Sequence, residues 1–329
     1  MGRLIGLFTS ADDPHLAHLV PVLKKRGLPY IRFDRADFPQ QVQLAARLEP
    51  SSGWQGTFCS GQTSYALADL HGILYRRPTS YRFVEGLSAD EQEFARLEAT
   101  RGFEGVLSSL PCLWLNHPAA LRAAEWKPRQ LRLAQEVGWR VPRTLITNDP
   151  QEALRFFEEC QGEMIYKTLS HPPTFPDRKC PDSFATIFTT KVTQAHLQTY
   201  AGTIAHTANL YQECLPKSLE LRVNIIGDQL FATAIDSQRS ERTRVDWRRS
   251  YADLRYSAYT LPDTIQTACH RLLARLQVHF AAIDLICTPA GEFVFVEANC
   301  NGQWGWIETV TGQPLAEAFV DVLVEGRDA

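Results

Sequence analysis

Short apolar runs near the start of the chain follow the pattern of strands that alternate with helices. The run at 3–8 is continuous, as in a buried strand, whereas the apolar positions at 15–26 recur with the period of a helix. Further apolar strands are predicted at 29–33, 72–75 and 111–115. Because this alternation is typical of parallel sheets, the chain is predicted to open with an α/β unit.

The rest of the chain is predicted to combine helices with mostly antiparallel strands. Ser88 and Glu91 form a capping box for a helix that runs to about Leu107. The turn-rich stretch 116–118 marks the expected end of the first unit. Helices are then predicted at 128–137, 150–160, 264–276 and 314–324, and strands at 144–147, 164–167, 210–214, 219–226 and 229–237. The proline-rich segment 170–183 is predicted to be a mobile loop of a hairpin that returns along 184–191.

The most informative stretch is 281–299, where two apolar runs flank the turn Pro289-Ala290-Gly291 and predict a β-hairpin. Because strand side chains alternate with period two, Asp284 is expected across from Glu297, with Asn299 on the same face. Carboxylates buried beside apolar residues are costly unless a cation pairs with them, and this oxygen donor set favours Mg²⁺ over zinc. The alternative is a solvated hairpin face whose acids only keep the sheet soluble.

Two lysines and an arginine are the expected phosphate contacts. Lys127 stands at the start of a predicted helix, where backbone N–H groups and the helix dipole also attract anions. Lys167 ends a strand just before the proline-rich segment, from where its ammonium can reach nucleotide phosphates. Arg222 shares a strand face with Glu220 and Asn224, and its guanidinium suits a phosphoryl group in transfer. Taken alone, each lysine is more often a solvated surface charge, and the alternative for Arg222 is a surface strand with ordinary cross-strand pairs.

Three other stretches are weaker candidates for ligand contacts. In the first, backbone groups near Gln212 can pair with an adenine edge while Glu213 accepts from ribose hydroxyls. Arg76 and Arg77 suit a clamp for a substrate carboxylate, or equally a salt-bridged loop. The segment Asp246-Trp247-Arg248 is either a contact for a peptide substrate or, equally, a solvated loop. Two further aromatic residues are expected to serve packing rather than stacking on substrate, namely Trp304 and Trp306.

Composition narrows the classes of protein that fit these patterns. The 329 residues are enough for two or three domains, and 44% hydrophobic residues can bury a core. With 34 Lys and Arg against 37 Asp and Glu, no overall basic surface supports nucleic-acid binding. The start of the chain lacks the pattern of a secretory signal, and no stretch has the length of a membrane span. The eight scattered cysteines lack metal-site spacing, so a cytoplasmic protein with reduced, structural cysteines is expected.

The order of these residues along the whole chain resembles the ATP-grasp superfamily. Several local motifs resemble, more narrowly, the microviridin-type peptide ligases, also called graspetide synthetases. These motifs are Tyr75-Arg-Arg-Pro78, Asn116-His-Pro118, Lys127-Pro-x-Gln130, Val141-Pro-x-Thr-Leu-Ile-Thr147, Asp236-Ser-Gln238, Asp246-Trp-Arg248 and Asn301-Gly-Gln-Trp-x-Trp-Ile-Glu308. The resemblance implies an α+β (α/β) ATP-grasp fold in three parts: an N-terminal pre-ATP-grasp domain with a parallel sheet (1–117), a central domain (118–212) and a C-terminal lid domain (213–329).

The resemblance also implies an activity. Family members use ATP to phosphorylate an Asp or Glu side chain of a ribosomal precursor peptide. A Ser or Thr hydroxyl or a Lys amine of the same peptide then displaces the phosphate and closes a ring. The implied Mg²⁺ ligands, two ions being expected, are Asp284, Glu297 and Asn299; the implied ATP contacts are Lys127, Lys167, Gln212, Glu213 and Arg222; the implied catalytic residues are Arg222, Lys167 and Asn299.

The same resemblance implies a peptide partner and an oligomeric state. A leader helix of the precursor is expected against a hairpin of the central domain at about 167–191. A homodimer is expected by analogy with related ligases, and neither nucleic acid nor membrane is an expected partner. Family members commonly carry proline at the position of Cys300, but this side chain should point away from the metal ligands.

Two other functions stay open from the sequence alone. One is an ATP-grasp ligase that adds a free amino acid to a peptide, protein or small carboxylate. The other is a peptide-binding module that keeps the fold without catalysis. The intact set Asp284, Glu297 and Asn299 argues against the module, and gain of a residue by the substrate would distinguish the amino-acid ligase from a macrocyclase.

Overall fold

A computed structural model describes residues 3–170, 175–177, 180–185 and 187–326. Its strands are β1 (Leu4–Phe8), β2 (Tyr30–Phe33), β3 (Val42–Glu49), β4 (Gly53–Ser60), β5 (Thr63–Ala66), β6 (Leu70–Tyr75), β7 (Leu113–Leu115), β8 (Thr144–Thr147), β9 (Met164–Lys167), β10 (Phe175–Asp177), β11 (Cys180–Ala185), β12 (Thr190–Lys191), β13 (Asn209–Glu213), β14 (Leu219–Ile226), β15 (Gln229–Ile235), β16 (Tyr256–Tyr259), β17 (Phe280–Cys287) and β18 (Phe293–Asn299). Its α-helices are α1 (Leu16–Lys25), α2 (Ala89–Ala99), α3 (Gly105–Ser108), α4 (Pro118–Ala124), α5 (Lys127–Glu136), α6 (Pro150–Glu159), α7 (Gln194–Ile204), α8 (Asp263–Leu276), α9 (Gly305–Thr311) and α10 (Leu315–Glu325).

The first part of the chain forms the predicted parallel sheet, with strand order β2-β1-β6-β7. All three pairings in it are parallel. Leu19 and Leu23 of α1 pack on one face together with apolar residues of α10, so the last helix of the chain covers the first sheet. At Gly72 in β6 a Cβ atom would lie 2.7 Å from the Leu323 carbonyl oxygen, and the glycine therefore permits this close approach.

An antiparallel meander, β3-β4-β5, and the helical segment that starts at α2 complete this part. The predicted capping box is confirmed, because the Ser88 side chain accepts from the Glu91 N–H and Glu91 reaches back to the Ser88 N–H. The predicted single helix, however, is interrupted at Thr100–Glu104 by a π-helical turn before α3. This wider turn coincides with burial of two consecutive side chains, Phe103 and Glu104.

A second, four-stranded sheet of order β12-β9-β13-β8 follows, with helices α6 and α7 packed on it. The helices α4 and α7 do not appear in the sequence-based expectation. Helix α4 begins directly after the turn-like stretch at 116–118, because the His117 ring accepts from the Ala119 N–H and Pro118 suits the first helical turn. Strands β10 and β11 pair as a hairpin within the predicted leader-binding segment. Residues 171–174, 178, 179 and 186 of that segment lie outside the described part.

The last sheet is antiparallel, with strand order β16-β15-β14-β17-β18. Alternation along β14 and β17 divides the sheet into two faces. One face places Leu221, Val223 and Ile283 against the helices α5 and α8 in a buried cluster. The opposite face carries Arg222 and Asp284, which are direct partners across the two strands. The short strand β16 and helix α9 were not expected from the sequence.

Within the described residues no helix is long and apolar enough to cross a membrane. The boundaries proposed at 117/118 and 212/213 stay predictions.

Asn116 ties the first sheet to the last one at the turn after β7. Its side-chain amide donates to the carbonyl oxygens of Phe280 and Cys300, both at 2.8 Å. Its side-chain oxygen accepts from the N–H groups of His279 and Phe280, at 2.7 and 2.9 Å. The side chain is 2% exposed, so these four bonds are made without competing water.

Asn116→Ala is therefore expected to lower the free energy of unfolding by about 3 to 5 kcal/mol, since it leaves buried backbone groups unsatisfied. Urea unfolding measures this difference. His117→Ala is the matched control, because it removes a half-buried helix cap worth about 1 kcal/mol. Equal effects of the two substitutions would contradict the role assigned to Asn116.

Candidate active site

Three oxygen-bearing side chains meet on the hairpin of β17 and β18. Asp284 pairs with Glu297 and Ala282 with Asn299, so the register agrees with the one predicted from the spacing. A bulge between Asp284 and Leu285 shifts the register in the rest of the hairpin. The Asn299 amide nitrogen lies 3.2 Å from Asp284 Oδ2 and 3.3 Å from Glu297 Oε1. The two carboxylates and the amide thus share one spot.

Cationic side chains surround this acidic pair. The Arg222 Nη1 donates to both oxygens of Asp284, at 2.8 and 2.9 Å, while its Nη2 donates to the Gln303 carbonyl oxygen at 3.4 Å. Lys127, the first residue of α5, lies 3.2 Å from Glu297 Oε2. Lys167, at the end of β9, is 8% exposed. The structure therefore brings together the residues that were expected to bind phosphate or metal. Gln212 and Glu213, the expected contacts for adenine and ribose, are not part of this group.

Burial and charge act on the pKa values of these groups in opposite directions. Burial raises the pKa of Asp284, despite its ion pair with Arg222. For Glu297, burial alone would also raise the pKa, but the charges of Lys167 and Lys127 outweigh it and hold the pKa below its usual range. Burial lowers the pKa of Lys167, and the charge of Glu297 opposes that change. The charge of each group in the site consequently depends on the charges of its neighbours.

The donor set fits a hard divalent cation. Carboxylate and amide oxygens are the ligand types that Mg²⁺ prefers. The Asn299 amide can present its oxygen to a metal if the side chain rotates. Among the described residues, no group of three His, Cys, Asp or Glu side chains is placed to hold a metal. A site for a softer metal such as zinc, which takes nitrogen and sulfur ligands, is therefore not indicated in that part of the chain.

These groups line a cavity of about 1190 Å³ that extends beyond the acidic pair. It is lined by all six central residues: Lys127, Lys167, Arg222, Asp284, Glu297 and Asn299. Arg77 and Trp247 also line it, together with Trp306. Trp304 instead is fully buried and stacks on Phe319, with ring centroids 4.6 Å apart, so the two tryptophans of this loop differ in role. The volume exceeds what a nucleotide alone requires.

Four sequence candidates are not among the lining residues. Gln212 is buried, and its amide donates to Thr144 Oγ1 at 3.0 Å, while Glu213 accepts from the Arg143 N–H at 3.0 Å. Asp246 is buried and accepts from the Thr189 N–H at 2.9 Å. Arg76 is 2% exposed and belongs to a buried network, so Arg77 is the one of the two arginines that faces the cavity.

Arg248 lines the cavity, although the sequence placed it only within a candidate segment and assigned it no role of its own. Its Nε and Nη2 donate to the two oxygens of Asp246, at 2.9 and 2.7 Å. The hydrogen bond that Arg248 donates to Asp246 raises the pKa of Arg248, and the charges of Glu297 and Asp284 raise it as well. In the sequence, the motif Asp246-Trp247-Arg248 was the signal that could have identified Arg248. In the structure, the buried carboxylate of Asp246 orients the Arg248 guanidinium.

Cys300 packs in the apolar cluster on the helical side of the sheet, as its position in the alternation predicts. Burial raises the pKa of its thiol to about 12. The cysteine is therefore a neutral packing residue rather than a ligand.

The loop after Asn299 is held by a buried network from the first sheet. Arg76 donates from Nε to Asp13 Oδ2 at 3.1 Å and from Nη1 to the Gly302 carbonyl oxygen at 3.2 Å. His15 Nδ1 lies 2.7 Å from Asp13 Oδ1, and His15 Nε2 accepts from the Trp304 N–H at 3.2 Å. Burial lowers the pKa of Arg76 to about 10. Asp13, His15 and Arg76 thus connect the first sheet to the loop that borders the acidic pair.

This network predicts a specific dependence of stability on pH. Burial and the charge of Arg76 lower the pKa of His15, although its bond to Asp13 opposes this. A group with a lowered pKa stabilises the fold fully above its ordinary pKa, about 6.5 for histidine, and loses that contribution as the pH falls. Burial would raise the pKa of Asp13, but His15 and Arg76 hold it well below its usual range, so its contribution is lost only at lower pH.

The destabilisation caused by His15→Asn should accordingly be smaller at about pH 5.5 than at about pH 7.5. Urea unfolding of both proteins at the two pH values measures the difference, and other histidines titrate equally in both. A loss that stays constant or grows in acid would contradict the neutral state of His15.

One family matches part of the chain by sequence. Residues 5–122 match the family described as the MvdD pre-ATP grasp domain. This range covers the parallel sheet, the meander and the helices α1 to α3. No curated protein matches the chain significantly.

Solved structures resemble the chain over almost its whole length. A RiPP-associated ATP-grasp ligase of Chryseobacterium gregarium, in complex with ADP and a leader and core peptide, is 25% identical, with a TM-score of 0.88 over 99% of this chain and 97% of that one. Macrocyclase MdnC of Microcystis aeruginosa MRC, bound with precursor peptide MdnA, is 27% identical (TM-score 0.82; 98% and 99% covered). Macrocyclase MdnB of the same organism is 29% identical (TM-score 0.78; 98% and 99% covered).

Proposed function

We propose that this chain, a graspetide-type ATP-grasp ligase, is a peptide macrocyclase that activates Asp or Glu side chains of a ribosomal precursor with ATP. The ATP-grasp fold with a pre-ATP-grasp domain, expected from the sequence, is confirmed by the family match and the solved relatives. The observation that supports the proposal most is the set of four cationic side chains around one half-buried acidic pair. Such a set suits transfer of a phosphoryl group to a carboxylate.

The metal and nucleotide are proposed to bind at the acidic pair. Asp284, Glu297 and Asn299 would hold Mg²⁺, with two ions in the complete site. When bound, the metal would neutralise charge on the nucleotide phosphates and align them for in-line transfer. Lys127 and Lys167 would bind the phosphates, since both already lie in the field of Glu297. Contacts of Gln212 and Glu213 with adenine and ribose are retained as a proposal, through the backbone of β13.

The reaction itself would depend on arginine geometry. Arg222 is held by Asp284 and the Gln303 carbonyl, so its guanidinium is fixed before substrate arrives. From there it would stabilise the transferring phosphoryl group and the acyl phosphate. Arg248, oriented by Asp246, would add a second fixed positive charge on the same cavity. Arg77 and Trp247 would contact the peptide segment that carries the carboxylate.

The volume of the cavity supports a peptide as the second substrate, because it exceeds the size of a nucleotide. The peptide is proposed to place a leader helix against the hairpin of the central domain, residues 118–212, and its acidic and hydroxyl-rich core in the cavity. The parts 1–117 and 213–329 would then be the pre-ATP-grasp domain and the lid, in a homodimer. A cytoplasmic reaction belongs to this proposal, because ATP and newly made peptide meet there.

The test uses a short peptide encoded next to this protein, with a C-terminus rich in Thr, Ser or Lys and in Asp or Glu. It is incubated with the protein, Mg²⁺ and ATP, and its intact mass is measured. Loss of one water mass per ring, dependent on ATP, is the expected result. An added amino-acid mass would instead indicate the amino-acid ligase, and tight binding without ADP release would indicate a non-catalytic module.

A further inference from the structure

Two histidines near the start of α1 line the active-site cavity, and they differ in what their ring nitrogens contact. His15 uses both nitrogens, since Nδ1 bonds Asp13 and Nε2 accepts from the Trp304 N–H. This arrangement fixes the proton on Nδ1 and occupies the free lone pair. His15 is therefore a structural side chain, with no nitrogen available to a substrate.

His18, one turn further along α1, has a free nitrogen. Its Nδ1 lies 3.8 Å from Oε2 of Glu308 on α9, and no hydrogen bond joins its Nε2 to the part of the protein that the structure describes. The ring is 26% exposed and lines the cavity. Glu308 is itself held in place, because its Oε2 accepts from the Ala316 N–H at 2.9 Å.

The approach to His18 Nε2 is kept open by a glycine. A Cβ atom on Gly305 would lie 2.9 Å from both Nε2 and Cδ2 of His18, so a side chain there would press on this edge of the ring. Gly302, in the same loop, has the same relation to Arg222, because its Cβ would lie 2.9 Å from Nη2. The loop thus leaves space beside both the arginine that binds phosphoryl groups and the histidine.

Several other titratable groups that line the cavity are held in ion pairs or keep their proton. Asp284 and Glu297 are committed to Arg222 and the lysines. Burial raises the pKa of Tyr256 to about 12, so this phenol keeps its proton. Glu125 is exposed and lies two residues before Lys127, near the N-terminus of α5 where phosphate is proposed to bind. Ring closure nevertheless requires a base, because both a hydroxyl and an ammonium must lose a proton to attack.

We propose that His18, positioned by Glu308, is the general base of the ring-closing step, an inference that rests on the proposed macrocyclase function. As the nucleophile's oxygen or nitrogen forms a bond to the acyl carbon, its proton passes to His18 Nε2. The bond between that carbon and the phosphate oxygen breaks, and inorganic phosphate leaves with the electron pair. The imidazolium then returns its proton to water or phosphate. Glu308 stabilises the charged ring, and Arg77 and His15 also line the cavity.

Formation of the acyl phosphate needs no such base, since the attacking group is already a carboxylate. His18→Asn should therefore slow ring closure without slowing formation of the acyl phosphate. We expect this variant to form the acyl phosphate at the original rate and to close the ring about 100- to 10,000-fold more slowly.

The experiment incubates protein, Mg²⁺, ATP and the neighbouring precursor with hydroxylamine, which traps the acyl phosphate as a hydroxamate. Mass spectrometry counts hydroxamate and ring separately, over a range of pH. Glu308→Gln is expected to slow closure less than His18→Asn and to leave trapping unchanged. His206→Asn is the matched control, because His206 is exposed and does not line the cavity.

Normal trapping with slow closure in His18→Asn is the result expected. Closure at the rate of His206→Asn would overturn the assignment, and so would equal loss of trapping and closure, which indicates a structural role. If the unsubstituted protein forms neither hydroxamate nor ring, the proposed function fails first and the assignment falls with it.

Discussion

Glu297→Gln is expected to reduce ADP release in the presence of precursor, Mg²⁺ and ATP by about 1,000-fold or more. The side chain faces Asp284 across the hairpin and lies 3.2 Å from Lys127 Nζ. Removal of its charge deprives the site of a hard oxygen ligand and leaves two lysines without their acidic partner. Glutamine keeps the size of the side chain, so the loss should come from charge rather than from a cavity in the fold.

The matched control is Glu292→Gln on the same hairpin, where the carboxylate is exposed and pairs with Arg140. This variant should keep full activity, because surface ion pairs contribute little. A Mg²⁺ titration separates weak metal binding from slow chemistry in the Glu297 variant. Comparable activity of the two glutamine variants would contradict the proposed metal site.

Arg222→Lys is expected to lower kcat by about 100- to 1,000-fold with little change in the apparent KM for ATP. Lysine retains a positive charge but presents it as a point rather than a planar fork. It cannot hold both Asp284 oxygens and the Gln303 carbonyl while it also faces the phosphoryl group. The positive charge would remain near the phosphates, yet its direction would no longer be fixed.

Arg242→Lys serves as the comparison, because Arg242 is exposed in the same charged stretch as Arg248 and lies outside the cavity wall. Steady-state kinetics with ADP release as the signal measure both variants. If Arg222→Lys retains the kcat of Arg242→Lys, electrostatic preorganisation by Arg222 is not part of the mechanism. A rise in KM alone would instead indicate a role in ground-state binding.

The acidic hairpin was predictable because its information is local. Period-two alternation and the position of Gly291 are sufficient to place Asp284 opposite Glu297. The bulge between Asp284 and Leu285 was not predictable from the pattern, since it depends on packing at that point of the sheet. The opening βαβ unit was predictable for the same reason, because turn-forming residues separate its short runs of apolar residues.

The residues that the sequence missed, or whose role it left open, are those whose role depends on contacts between distant parts of the chain. Arg248 lies in a polar stretch without periodicity, and only the fold brings it towards Glu297 and Asp284. In the sequence, His18 looks like an ordinary helix position. Its partner Glu308 lies 290 residues later in the chain. Arg76 and Arg77 are adjacent and chemically identical, so only burial distinguishes the structural one from the one at the cavity.

Short helices were the other failure of prediction. Helix α9 starts at Gly305 and α4 follows a turn-like sequence at His117, so neither carries a long amphipathic pattern. Their stability comes from tertiary packing, for example Ile307 in the cluster under the first sheet. Local propensity is too weak to predict such elements.

The central claim is that this site activates a peptide carboxylate by transferring a phosphoryl group to it, and oxygen labelling tests it directly. The precursor is prepared with ¹⁸O in its Asp and Glu side-chain carboxylates and is converted with Mg²⁺ and ATP. The account predicts one labelled oxygen in the inorganic phosphate released for each ring closed, with ADP as the other product. Label in AMP, or all label retained in the cyclised peptide, would contradict it.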